Sequence, residues 1–115
     1  DEETLTRYHK HCDELGLSAL VEAHDEDEIQ MAVRAGARII GVNNRNLKDF
    51  TVDIHNGIRL REKVPKEILF VAESGIKTRE NIVELEKGCV NAVLIGETFM
   101  RSENKEQMLQ QLKGE

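Results

Sequence analysis

ARIIGVNNRNL, residues 37–47, decides the fold: an apolar run, ARIIGV, passes without a turn dipeptide into Asn43, Asn44, Arg45 and Asn46. The length and β-branched content of ARIIGV suit a buried strand. A tight turn would need only Asn-Gly or Pro-Asp at its end. A cluster of amides and a guanidinium there reads instead as the mouth of a parallel strand, the end at which α/β folds gather their chemistry.

Three other segments share this pattern. LSALVEA (17–23), ILFVA (68–72) and VNAVLIG (90–96) are short apolar runs, and helical stretches lie between them. Residues 1–16 place Leu5, Tyr8, Cys12 and Leu15 on one helical face, with Gly16 as a C-terminal cap. Asp25 offers an N-cap with Glu28 at capping-box spacing, and Ile29, Ala32 and Val33 form a stripe that ends at Gly36. Residues 53–64 carry Ile54, Ile58 and Leu60 ahead of Pro65, with Gly57 inside against helix propensity. Thr78 caps residues 78–88, where Ile82, Val83 and Leu85 face inward and Gly88 terminates. An ETFMR turn (97–101) and a helix from about 103 to 113 complete an α(βα)₄ order. Such an order predicts an α/β fold, a parallel sheet covered by helices and built from right-handed β-α-β units.

Length and charge narrow the classes. The 115 residues suit one domain, 1–115, with one modest core. A net charge of −6 argues against nucleic-acid or membrane-surface partners. Cys12 and Cys89 are far apart, with no CxxC and no apolar leader before them, so a reduced, cytoplasmic protein without a catalytic thiol is expected. The chain opens on Asp1, inside what already reads as helix, which points to a fragment.

The C-terminal strand ends read VEAHD, GVNNRN, VAESGI and LIGET. Period-two alternation groups Leu20, Glu22 and His24; Gly41, Asn43 and Arg45; Leu69, Val71 and Glu73; and Ala92, Leu94 and Gly96 on one face, the interior of a closed barrel. Glu22, in a partly dry strand, fits a general base or acid, or equally an ion pair with Arg45 or a lysine. Glu73 carries the same two readings. His24 suits a helix-start hydrogen bond better than metal ligation, because no second histidine falls at ligand spacing. Gly75 and Gly96 sit where backbone N–H groups can hold a phosphate, or else serve as ordinary strand-to-loop turns. Arg45 fits bidentate grip of a carboxylate, or a solvated loop position. Asn44 points to the opposite face and is expected to hold the loop.

The ordered set LVEAHDEDE, GARIIGVNNRNLKDF, VAESGI and NAVLIGETFMR resembles the C-terminal half of the indole-3-glycerol phosphate synthase family, and the likeness covers essentially the whole chain. It implies four βα units of a (β/α)₈ TIM barrel, from the fourth helix to the eighth. The implied activity is a carboxy-lyase of tryptophan biosynthesis, closing the indole ring of 1-(2-carboxyphenylamino)-1-deoxyribulose 5-phosphate without metal or cofactor. By position, Glu22 matches the catalytic glutamate, Asn43 a substrate-binding asparagine and Arg45 the arginine beside it. Glu73 and Ser74 match polar active-site positions, and Gly75, Gly96 and the backbone N–H of Glu97 the phosphate grip. A Glu97 carboxylate aimed at the phosphate would oppose it, so only its backbone is carried over.

The family's catalytic lysines and a further glutamate belong to the first three strands, which these 115 residues do not supply. Negligible synthase activity is therefore expected of them alone. Half a barrel also leaves two strand edges and an interior face open. The remedies are the missing N-terminal half, self-association through the edges, or rearrangement into a flavodoxin-like open sheet. Two other functions fit the glycine loops: a noncatalytic phosphate-binding half-barrel and a related phosphate-binding barrel isomerase.

Overall fold

The computed structural model describes residues 1–115. Helix α1 (Glu2–Glu14) precedes strand β1 (Val21–Ala23), helix α2 (Glu26–Arg34), strand β2 (Ile39–Asn43), helix α3 (Ile54–Arg61) and strand β3 (Leu69–Glu73). Helix α4 (Arg79–Lys87), strand β4 (Ala92–Leu94) and helices α5 (Glu97–Arg101) and α6 (Lys105–Lys113) follow. All three strand pairs are parallel and lie in sequential order, β1-β2-β3-β4. Right-handed crossovers between sequential neighbours put every connecting helix on the same side. This is the arrangement of half a (β/α)₈ barrel. The flavodoxin-like alternative fails, because it needs the order to reverse at a switch point.

The two sheet faces differ accordingly. Val21, Ala23, Ile40, Val42 and Phe70 point to the helices and are buried with Ile29 and Ala32, while Ala72 packs with Ile76 and Leu85 in a second cluster. On the other face Leu20, Leu69 and Leu94 remain 44%, 50% and 53% exposed. That face is the one assigned from sequence to a barrel interior, and here it is open. No helix is long and apolar enough to cross a membrane.

Local chemistry explains the element ends. Asp25 Oδ1 accepts from Glu28 N, and Thr78 and Asn81 close a reciprocal capping box on α4. The capping box expected at Asp25 is only half formed, because Glu28 Oε1 turns to His24, accepting from its backbone N and pairing with Nδ1 at 2.8 Å. Strand β1 is shorter than residues 17–23, since Leu17 N donates to Cys12 O behind a left-handed Gly16 and so finishes α1. Strand β4 is likewise shorter than residues 90–96: Val90 N bonds Leu85 O at the end of α4, and pairing with β3 stops at Glu73. The ETFMR turn is a short helix, and Asn104 caps α6 two residues later than expected.

The face of α1 is corrected. Tyr8 and Leu15 are 62% and 61% exposed, whereas His9 is buried. Leu5, His9 and Cys12 make an i, i+4, i+7 stripe instead, and Arg34 and Arg38 of the α2 side hold Glu2 and Asp13 of α1. The glycine inside α3 also has its reason. A Cβ on Gly57 would come within 2.9 Å of Asn44 Oδ1, the atom to which Gly57 N donates at 3.0 Å.

Asn44 itself is buried and fully engaged. Its Nδ2 donates to Ser74 O, its N to Glu73 O, and its O accepts from Asp53 N. Asn44→Ala leaves the Gly57 N–H and the Ser74 carbonyl without their partner, an expected loss of about 2–4 kcal/mol in urea unfolding. The exposed Asn46→Ala, which frees only Lys48 N, is expected to cost less than about 1 kcal/mol. Equal costs for the two would contradict this account of the loop.

Candidate active site

Three strands bring Glu22 and Glu73 together. Glu22 pairs in register with Gly41, and Glu73 with Asn43 two residues farther along β2. The Glu73 side chain leans back over Gly41, where a Cβ would lie 2.5 Å from Glu73 Oε2. Glycine at position 41 is thus what admits the carboxyl group between β1 and β3. The ion pair with Arg45 considered for Glu22 does not form; Arg45 holds Glu97 instead.

Burial pushes the Glu73 carboxyl up to about 7, and Glu22 beside it adds a hydrogen bond to the acid form and a like charge, against a smaller opposing effect of His24. The buried Oε2 finds no donor among the protein's groups. Glu22 becomes a hydrogen-bond partner once one of the two carboxyls carries a proton.

Arg45, Glu73, Ser74, Gly75, Gly96 and Glu97 line one cavity of about 760 Å³. Both glycine loops therefore open into one space. Ser74 and Gly75 both adopt positive φ, 70° and 76°, and a Cβ on Gly75 would collide with Val52. Gly96 starts α5 with open space around its Cα. Thr98 Oγ1 donates to Ile76 O at 2.7 Å, tying α5 to the loop after β3.

Asn43 and His24 line an adjoining cavity of about 540 Å³, which shares Arg45. Asn43 Oδ1 accepts from Arg45 N at 2.9 Å, an Asx turn that leaves the Nδ2 donors uncommitted. Glu22 lines neither cavity and reaches the site through Glu73. No group of three or more His, Cys, Asp or Glu side chains is placed to hold a metal.

Sequence reading missed Lys77, Thr98 and Arg101 on the larger cavity. Arg101 was findable, since it stands one helical turn after Glu97 and pairs with it at 2.9 Å. Lys77 directly follows ESGI, a position that marks it as a loop neighbour of the glycines. Thr98 gave no such signal, because its bond spans 22 positions. With Arg45, the two added cations outnumber Glu97 and a Glu73 that is half neutral near pH 7. The cavity is thus locally basic in a chain of net charge −6.

The family model described as indole-3-glycerol phosphate synthase matches residues 1–112. Curated relatives of that name from Lachnoclostridium phytofermentans and Leuconostoc mesenteroides are each 59% identical, over 97% and 99% of this chain. The chain spans 41% and 44% of their lengths. Among solved structures, a chain of the Amycolatopsis orientalis BexX/CysO complex superposes with a TM-score of 0.73 at 17% identity, covering 99% of this chain and 47% of that one. A chain of the native KDPGal structure does so with 0.67 at 18%, covering 97% and 50%. At such identities the likeness speaks to fold alone.

The position of Glu73 sets a pH dependence. A carboxyl raised from its ordinary value of 4.5 to about 7 contributes stability that is complete below the lower value and lost as pH rises through the upper. The stability of Glu73→Gln relative to wild type is therefore expected to rise between about pH 4.5 and about pH 7, with any effect of His55, also raised, cancelling in the difference. Carboxyl-carbon NMR of Glu73 should show a midpoint near 7, moving down in Glu22→Gln. A flat difference and an ordinary midpoint would refute the assignment.

Proposed function

The chain belongs to the indole-3-glycerol phosphate synthase family, and from that premise we propose that residues 1–115 are the C-terminal half of its barrel, from the fourth helix to the eighth. In the complete polypeptide they contribute to a cytoplasmic carboxy-lyase that converts 1-(2-carboxyphenylamino)-1-deoxyribulose 5-phosphate to the indole product, losing carbon dioxide and water, without metal or organic cofactor. The observation that carries this reading is the Glu22–Glu73 pair set beside a basic cavity onto which two glycine loops open.

In this reading each residue has a task. Glu22 and Glu73 form a pair in which Glu73 exchanges its proton near neutral pH, so the pair offers both a donor and an acceptor to the ring-closing and dehydrating carbons. Gly75, Gly96 and Glu97 line the cavity, where their backbone N–H groups serve as phosphate donors in this reading and Ser74 adds a hydroxyl. Arg45 borders both cavities and holds the substrate between them, and the uncommitted Nδ2 of Asn43 lines the smaller one, where it orients the anthranilate end. The partner that completes the site is the set of βα units preceding these residues, docked on the open sheet face and the edges of β1 and β4. Neither nucleic acid nor membrane is a partner.

Residues 1–115 alone lack the family's general-acid lysine, so negligible turnover is proposed for them. Supplying the four preceding βα units of a family member in trans is expected to restore carbon dioxide release from the ring-closure substrate. Glu22→Gln in that complex should lower kcat by about 10²–10⁴ with little change in KM. Absence of activity in the complemented wild type would leave a noncatalytic phosphate-binding half-barrel as the better description. Turnover of an aminoketose without carbon dioxide release would favour an isomerase.

A further inference from the structure

Glu97 sits oddly in a cavity read as a phosphate site. It immediately follows Gly96, yet its carboxylate does not turn away from the basic residues. Oε2 takes Arg45 Nη2 at 2.8 Å and Oε1 takes Arg101 Nη2 at 2.9 Å, so each oxygen serves a different arginine. The first of these contacts joins residues 52 positions apart and ties the mouth of β2 to α5. Arg45, Arg101 and Lys77 together hold this carboxyl below its usual range.

We propose that Glu97 is a resident counter-anion of the cavity, seated on Arg45 and Arg101 and displaced from them by an incoming phosphoryl group. The inference rests on the phosphate reading above and adds a competitor to it.

Two further features favour displacement over a permanent strut. Arg45 meets Glu97 through one nitrogen only, while its Nε is buried with no partner. A contact that leaves part of a guanidinium fork unpaired is weaker than one made by a group with three acceptor oxygens. The Glu97 side chain is also 49% exposed, so moving it into water sacrifices little. The backbone of α5 need not follow, since Thr98 anchors it to Ile76 O independently of the carboxylate.

Inorganic phosphate titrated into the full chain by calorimetry tests the idea, with Glu97→Gln and Glu97→Asp beside wild type. A competing anion predicts that Glu97→Gln binds phosphate about three- to tenfold more tightly, the effect of removing one charge a few ångströms away in a largely aqueous setting. Glu97→Asp, which keeps the charge, should bind no more tightly than wild type. The Arg45 Nε–H resonance should shift on phosphate addition in wild type and in Glu97→Gln. Binding in Glu97→Gln that equals or falls below wild type overturns the proposal and makes Glu97 a strut, as does tightening in Glu97→Asp. If neither wild type nor Glu97→Gln binds phosphate, the phosphate reading of the cavity falls as well.

Discussion

The buried amide of Asn44 is the constraint on which the mouth of this sheet depends. Its four polar groups reach Glu73 O, Ser74 O, Gly57 N and Asp53 N, so one side chain and its backbone join the ends of β2 and β3 to the start of α3. A buried amide satisfied on every side holds position far better than a half-satisfied one, because each lost partner leaves a group that water cannot reach. The neighbouring residues inherit this precision. Asn43 and Arg45, on either side of Asn44, project toward the cavities, and Ser74 is held in a left-handed conformation that non-glycine residues seldom adopt.

The second constraint is an absence of side chain. Gly41 costs β2 its own contribution to the inner face, and in exchange the Glu73 carboxyl lies across the strand toward Glu22. Two carboxyl groups from strands that are not hydrogen-bonded neighbours meet over the one between them. Their proximity and the burial of Glu73 are what move a proton equilibrium to near neutrality. A larger residue at position 41 would push the Glu73 carboxyl away from Glu22 and out of its buried position.

Much of this organisation was legible in the residues themselves. Alternating apolar runs and capped helices specified the parallel order, because Asp25, Thr78 and the strand-terminal polar clusters are local signals with local causes. The grouping of Glu22, Asn43, Glu73 and Gly96 on one face followed from period two. What could not be read depends on distance in sequence or on competition between close alternatives. The Arg45–Glu97 contact spans 52 positions, and no local pattern announces it. Along α1, the stripes through Tyr8 and through His9 share Leu5 and Cys12 and differ by one position, and the burial of His9 with Tyr8 left exposed marks the latter. The lean of Glu73 over Gly41 needs the register of both strands before it has any meaning.

The open face and the raised acid are linked. Glu73 reaches about 7 while Leu20, Leu69 and Leu94 around the same face still contact water. Any surface that covers these leucines removes solvent from Glu73 too, and desolvation is already the largest cause of its shift. A purely apolar cover would therefore drive the acid higher and hold it neutral. A cation brought toward Glu73 acts in the opposite sense and favours its carboxylate. The open face thus combines two demands in one place, apolar contact for the three leucines and positive charge for the carboxyl pair.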